Sequence, residues 1–589
     1  MKNLLKSLRP LDWLLIFITM GLVVLSVYLE LLIPDYMGDM TRALTSSTAN
    51  QSEIWKAGGY MLLCSISTCL VMAIVYFLSA KIGAHFSYSL RKRLYQKVNE
   101  MSEEEIEHFS TASLITRTTN DINQITMLLM MGMSLIIKSP VMAVWAILKI
   151  LGKGNDAWTI AVGIAVAFLI VTIAIIGVLV IPKFKKVQTQ IDKVNALSRE
   201  DLEGLRVIKA FNAEKFREDK FEKANDELTK TNTFTGLLMG ISSPLMTAIM
   251  SGLPIAIYWI GAYAIHEAGN MEEKAIVFSN MMVFSSYSTL VIFGFLMIVM
   301  VFMFSPRSIV AMKRVNEVLS SKTKIQEGSF DKETTIKGQL EFKNVSFGYN
   351  NEDKTVQENV LSNISFKICK GETLAIIGPT GSGKSTILNL VMRFYDPSEG
   401  EILLDGVNLK NYRFSTLYEK IAIAPQKAIL FKGDIKENAL YGESHSYNDE
   451  SLKLAINVSH SEEFIAKKEN GLNSEIEQGG KNVSGGQKQR LSIARALARN
   501  PEILLFDDSL SALDYKTDFE VRKALKEKYA STTKIIVAQR IGSIKDASLI
   551  LVLDEGKVVG LGKHEDLLKT CSLYQEIASS QLNEEELSK

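Results

Sequence analysis

The densest chemistry in the sequence is a run of small and basic residues: Gly378, Pro379, Thr380, Gly381, Ser382, Gly383, Lys384, Ser385 and Thr386. Glycines lack the Cβ that would keep backbone N–H groups from curling around phosphate oxygens. A helix starting there adds the positive end of its dipole. The Lys384 ammonium suits β- and γ-phosphates, and the Ser385 hydroxyl suits Mg2+. Such a loop carries meaning only between a strand and a helix. Glu372–Ile377 reads as a buried strand and Ile387–Phe394 as a helix, so that context is present. A second apolar strand, Glu502–Asp508, delivers Asp507 at its tip, where a carboxylate holds Mg2+ through water. Carboxylates at strand ends are common; this one gains its meaning from the phosphate loop.

The elements that position these groups alternate between strand and helix, as in an α/β P-loop domain, here expected over 338–589. A polar, Gly-containing linker, 320–337, precedes it. Before the linker the character changes. Mean hydropathy over the whole chain is +0.12, high for 589 residues, and points to membrane segments. Apolar runs long enough to cross a bilayer lie at Leu11–Ile33, Gly58–Phe77, Leu128–Leu151, Trp158–Ile181, Phe234–Ile265 and Ala275–Phe304. Pro34–Lys56, Gly152–Ala157 and His266–Lys274 are short connections with few cations. Lys81–Met127 and Lys183–Thr233 are long and rich in Lys and Arg. Positive charge favours the cytosol, so both termini and both long loops are expected inside. The long loops are amphipathic and read as helices continuing the crossings, with breaks near Glu107–Ser113 and Phe211–Lys215. The expected fold is an all-α membrane domain of six transmembrane helices (1–319) followed by the α/β domain.

Composition excludes other classes. A formal net charge of +1 leaves no basic stripe for nucleic acid. Cys64, Cys69, Cys369 and Cys571 make no metal-ligand spacing and read as reduced thiols. The run Leu11–Ile33 is too long for a cleaved signal.

Between the two strands lie Ser484, Gly485, Gly486 and Gln487, then Lys488, Gln489, Arg490 and a helix expected at Leu491–Arg499. This stretch resembles the signature motif of ABC transporter cassettes. Tyr349 resembles the aromatic that stacks on adenine, Gln426 the Q-loop residue that reaches Mg2+, and Ser511–Asp514 the D-loop. Glu475–Gly480 occupies the place of the X-loop. In the membrane half, six crossings, Phe109, Arg117, Asp121 and the Gly204–Phe211 stretch resemble multidrug-type exporters, whose two cytosolic turns dock on cassettes. The resemblance implies ATP and Mg2+ as cofactors, with Ser385, Gln426 and Asp507 at the metal. It also implies cassettes paired head to tail, each ATP seeing one chain's P-loop and the other's signature.

Two positions depart from the family. Where it places a glutamate after the Walker B aspartate, this chain has Asp508. Where it places a switch histidine, this chain has Gln539. Aspartate is one methylene shorter, and a misplacement of about 1 Å costs on the order of a hundredfold in rate. Glutamine donates a hydrogen bond but carries no proton or positive charge. The catalytic positions Asp508 and Gln539 thus imply a weak hydrolytic site. A different partner half-transporter, forming a heterodimer, is then expected to supply the competent one. The alternatives are a lipid or peptide exporter, or a nucleotide-gated regulatory or channel subunit; long charged insertions would favour the last, and none is present.

For cargo, Met297, Met300 and Met303 recur on one face of the last crossing, and Met127, Met130, Met131 and Met133 cluster at the start of the third. Thioethers suit either varied apolar ligands or ordinary packing. Glu30 suits either a cationic substrate or the outer interface. The expected substrates are small hydrophobic or cationic compounds, moved across the plasma (bacterial inner) membrane.

Overall fold

A bilayer demands that every backbone N–H and C=O be satisfied within its own segment, which makes helices of the apolar runs. The structure, a computed structural model, describes residues 2–45, 51–151, 156–349, 359–442 and 448–581. It divides into two compact units. One is Met1–Asn99 with Ser110–Ser321; the other is Glu100–Phe109 with Lys322–Lys589.

Among the described residues of the first unit, six helices are long and apolar enough to cross a membrane: Pro10–Thr45, Gln51–Asn99, Thr111–Ile150, Asp156–Val180, Glu214–Glu267 and Met271–Val301. Each expected crossing coincides with one of them; three lie wholly within, and the other three end one to three residues beyond the bounds given. Gln51–Asn99, with 49 residues, spans about 74 Å at 1.5 Å per residue. The first helix does not stop before Pro34 as the sequence suggests; it passes through to Thr45. The Tyr287 hydroxyl donates to the Leu31 carbonyl at 2.8 Å, adding a partner where the proline weakens the ladder. Residues 46–50 and 152–155, inside two of the expected connections, lie outside the described residues.

The charges inside these helices are paired. Glu30 meets Lys138 at 2.9 Å, and Asp35 meets Lys149 at 2.6 Å. Unpaired, such groups would carry the full cost of burial. Glu30 is thereby neutralised from within the domain. Among the methionines, Met133 is buried, and a Cβ on Gly83 would come within 2.6 Å of Met130 Cγ, so these two pack. Met127 and Met300 are exposed; the Met303 side chain lies outside the described residues. Arg117 donates to Glu317 and to the Arg314 carbonyl, both at 2.8 Å. The two expected breaks are real turns. Ser110, at φ 56, starts Thr111–Ile150, and the short helix Leu205–Ala210 ends in a turn with Asn212 at φ 49.

Among its described residues the second unit holds twelve strands: β1 (Leu340–Phe347), β2 (Leu361–Ile368), β3 (Thr373–Ile377), β4 (Glu399–Leu404), β5 (Val407–Asn408), β6 (Ile421–Ala424), β7 (Gly433–Asp434), β8 (Glu475–Ile476), β9 (Ile503–Asp507), β10 (Thr533–Val537), β11 (Leu549–Asp554) and β12 (Lys557–Gly562). One antiparallel sheet runs β2-β1-β4-β5, and a six-stranded sheet runs β12-β11-β3-β10-β9-β6. Strands β3, β9 and β10 are apolar and covered on both faces, as parallel central strands require. Two anchors tie flanking chain to this unit. Lys420 contacts Asp405, Glu502 and the linker's Thr334 at 2.8, 2.8 and 3.1 Å. Glu104 and Glu105, on the short helix Glu103–Phe109, hold the Lys324 ammonium and N–H at 2.6 and 2.7 Å.

Candidate nucleotide site

Five parallel strands, β11, β3, β10, β9 and β6, end along one edge of the six-stranded sheet. Ligand sites in open α/β sheets form at that edge. Strand β3 runs into Gly378, β9 ends on Asp507, β6 leads to Gln426 and β10 to Gln539. Val537 of β10 pairs with Ile376 on one side and Asp507 on the other. The topology thus delivers Gln539 between the phosphate loop and Asp508.

The loop needs its glycines. Gly378, Gly381 and Gly383 have φ of 155°, 85° and 99°. A Cβ on Gly378 would lie 2.1 Å from the Leu553 carbonyl, and one on Gly383 2.6 Å from Leu361 Cδ2. Gly383 directly precedes the helix Lys384–Val391, which begins earlier than the expected Ile387. Lys384 Nζ donates to the carbonyls of Gly378 and Pro379, at 2.9 and 2.6 Å. Burial holds the Lys384 pKa below its ordinary value, against the pull of Asp508 and Asp507. Ser382 Oγ is buried without a hydrogen-bond partner among the described residues. Pro379, Thr380 and Gly381 are exposed. Donors turned toward an open loop, one of them orphaned, fit the oxygens of a polyphosphate.

Ser385 Oγ donates to Asp507 Oδ1 at 2.9 Å. Hydroxyl and carboxylate oxygens side by side are ligands Mg2+ takes. Burial raises the Asp507 pKa, and a cation beside it would reverse that shift. Gln426 is exposed just beyond β6. Tyr349 packs edge-on against Phe347 and Tyr395, with centroids 5.0 and 5.2 Å away, and its hydroxyl lies 3.2 Å from Thr386 Oγ1.

The two departures from the family meet. Asp508 sits in the left-handed region at φ 47, which aspartate tolerates better than most residues. Its carbonyl accepts from Ser511 Oγ at 2.7 Å. Gln539 Nε2 donates to Asp508 Oδ2 at 2.8 Å.

Other expected site residues serve helix starts. Ser484 Oγ accepts from the Gln487 N–H at 3.3 Å, and Gln487 Oε1 accepts from the Ser484 N–H at 3.0 Å. This capping box starts the helix at Gly485, six residues before the expected Leu491. A Cβ on Gly485 would meet nothing within 4 Å, so its backbone is open to close approach. Asp514 caps Tyr515–Lys528, accepting from the Thr517 N–H and Oγ1 at 3.1 and 2.7 Å. Sequence reasoning missed Tyr395 and Gln581, which touch Tyr349 and the Gln539 segment; neither sits in a motif.

The profile of the ABC transporter family matches residues 361–511, and that of the ABC transporter transmembrane region matches 16–295. The chain is 33% identical over 527 residues to an uncharacterised ABC transporter ATP-binding protein of Mycobacterium tuberculosis (strain ATCC 25618 / H37Rv), covering 89% of this chain and 87% of that one. It belongs to the ABC transporter family. A further uncharacterised ABC transporter ATP-binding protein, from Bacillus subtilis (strain 168), is 32% identical over 545 residues, 90% of each chain. An ATP-dependent lipid A-core flippase of Haemophilus influenzae (strain 86-028NP) is 31% identical over 500 residues, 84% of this chain and 82% of that one. In fold, the ABC transporter is similar to a bacterial Atm1-family ABC exporter solved with ATP bound. The TM-score is 0.78 at 24% identity, with 97% and 98% of the two chains covered. The chain is thus a multi-pass membrane protein with a fused cassette, an ATPase coupled to transport.

Proposed function

We propose that this ABC transporter chain is one half of a heterodimeric exporter, holding ATP at a slowly hydrolysing site. The observation that carries this reading is the hydrogen bond from Gln539 to Asp508. The two side chains on the γ-phosphate side satisfy each other. The shorter carboxylate sits back from an attacking water, and the amide has no positive charge to lend. The binding side supports retention of nucleotide: Tyr349 for adenine, Gly378–Thr386 for phosphates, and Ser385, Gln426 and Asp507 for Mg2+. Ser484–Gln487, an exposed helix start, is lent with Asp514 to a non-identical half-transporter that brings its own glutamate and histidine. We assign 1–319 to the membrane domain, 320–337 to the linker and 338–589 to the cassette. The Lys- and Arg-rich inner segments support cytoplasmic termini in a bacterial inner membrane.

The cargo in this reading is a small hydrophobic or cationic compound, as in multidrug efflux. Likeness to a lipid A-core flippase supports a second reading, in which the cargo is a lipid. Reconstitution with the partner, assayed for dye efflux and for lipid translocation, separates the two.

The hydrolytic half of the proposal is tested on the full chain in nanodiscs. Converting Asp508→Glu together with Gln539→His raises turnover at this site about 10- to 100-fold. Vigorous ATP turnover by the unaltered chain alone, or no gain in the double variant, sinks it.

A further inference from the structure

Gln581 ends the last described helix, Ser572–Gln581. Its side chain reaches back to the switch segment. Gln581 Nε2 donates to the Gln539 carbonyl at 2.9 Å, and Gln581 Oε1 accepts from the Ile541 N–H at 2.8 Å. One amide therefore grips the backbone on both sides of Arg540. Gln539 passes the restraint on, through its own amide, to Asp508 Oδ2. The gripping helix is itself fixed. Tyr574 and Ala578 are fully buried, and the Tyr574 hydroxyl lies 2.7 Å from His564 Nδ1.

We propose that Gln581 is a positioning residue for the γ-phosphate side of the nucleotide site. It sets the backbone of 539–541, and through Gln539 it sets where the Asp508 carboxylate stands. The inference rests on the reading of Asp508 and Gln539 as the residues of that side. The task requires an amide. Gln581 uses a donor and an acceptor from one planar group on two backbone partners. A carboxylate keeps only the acceptor and turns a negative oxygen toward the Gln539 carbonyl. Alanine keeps neither. Because no bond of Gln581 reaches the phosphate loop, its effect falls on turnover rather than on nucleotide affinity.

The test uses the full chain in nanodiscs, with single-turnover release of labelled phosphate and hydrogen–deuterium exchange of the peptide spanning 539–541. Gln581→Ala lowers the rate of the chemical step about five- to tenfold, as loss of an orienting hydrogen bond does. The concentration of ATP at half-saturation stays within about twofold, and exchange at Ile541 accelerates about tenfold. Gln581→Glu loses comparable rate but keeps part of the Ile541 protection. Ser580→Ala is the control, since among the described residues Ser580 Oγ bonds within its own helix, to the Ile577 carbonyl. The proposal is overturned by unchanged exchange at 539–541, by rate and affinity falling together, or by Ser580→Ala reproducing the loss. Should Asp508→Glu with Gln539→His give no gain while Gln581→Ala still loosens 539–541 and slows the step, the weak-site reading falls and the positioning role stands.

Discussion

The two sides of the nucleotide site are built by different means. The cradle side is backbone: glycines in left-handed conformation, a helix start, and a lysine folded over its own loop. The switch side is a pair of side chains, Asp508 and Gln539, each holding the other and steadied by neighbours outside any motif. A backbone cradle tolerates change in the residues facing it, because its donors, Lys384 apart, belong to the main chain. A side-chain pair has no such reserve, since replacing one methylene or one ring alters the chemistry directly. This chain has kept the first and altered the second. In the reading proposed above, binding and hydrolysis are separable, and substitutions should fall into two groups.

The largest effect belongs to the cradle. Lys384→Ala removes a charge-assisted donor from the phosphates, expected to weaken ATP binding about a hundredfold. Asp508→Glu, on the opposite side, leaves affinity within about threefold while changing rate. Equilibrium binding of a fluorescent ATP analogue to both variants checks the pair. Equal losses of affinity would erase the distinction between the sides.

The same contrast explains what the sequence disclosed. The loop Gly378–Thr386 was legible because phosphate chemistry restricts which residues can stand there. The membrane crossings were legible because a bilayer imposes length and apolarity. Their ends were less so. Pro34 looks like a stop, yet the helix runs through it to Thr45, and the Tyr287 hydroxyl, far along the chain, bonds the Leu31 carbonyl one turn before the proline. Glu30 was visible as a charge in an apolar run, but its neutralisation by Lys138 depends on how two crossings pack. The signature and D-loop residues were read from their order along the chain, and their capping roles emerge only from the helix starts, the signature helix beginning six residues earlier than expected. Gln581 left no trace, being one amide on an ordinary amphipathic helix. Its partners are main-chain atoms, which carry no sequence signal.

A smaller effect probes the rim of the cradle. Tyr349 stands beside the phosphate-loop helix with its hydroxyl near Thr386. Stacking of a base on an aromatic is worth about 1–3 kcal/mol, so Tyr349→Ala weakens ATP binding about tenfold or more. Tyr349→Phe keeps the ring and loses only the contact to Thr386, with a change of about twofold. Competition between ATP and GTP for each variant shows whether the ring reads the base. If Phe and Ala lose the same affinity, the hydroxyl contact matters and stacking does not.

The smallest effect concerns Asp514, which the family resemblance places at the site and the structure places at a helix start. Hydrogen bonds from the Thr517 N–H and hydroxyl hold its carboxyl below the usual range. A carboxyl whose folded pKa is depressed adds stability above its unfolded value, and that contribution disappears as pH falls through the folded value. Asparagine caps a helix about as well but carries no charge to the helix N-terminus. Asp514→Asn should therefore lower the thermal midpoint at pH 7 by about one to three degrees. The gap should close as pH drops below the carboxylate range. Thermal unfolding of the full chain at pH 7 and in acid measures both. A gap of the same size at both pH values means that the charge of Asp514 does nothing for its own helix.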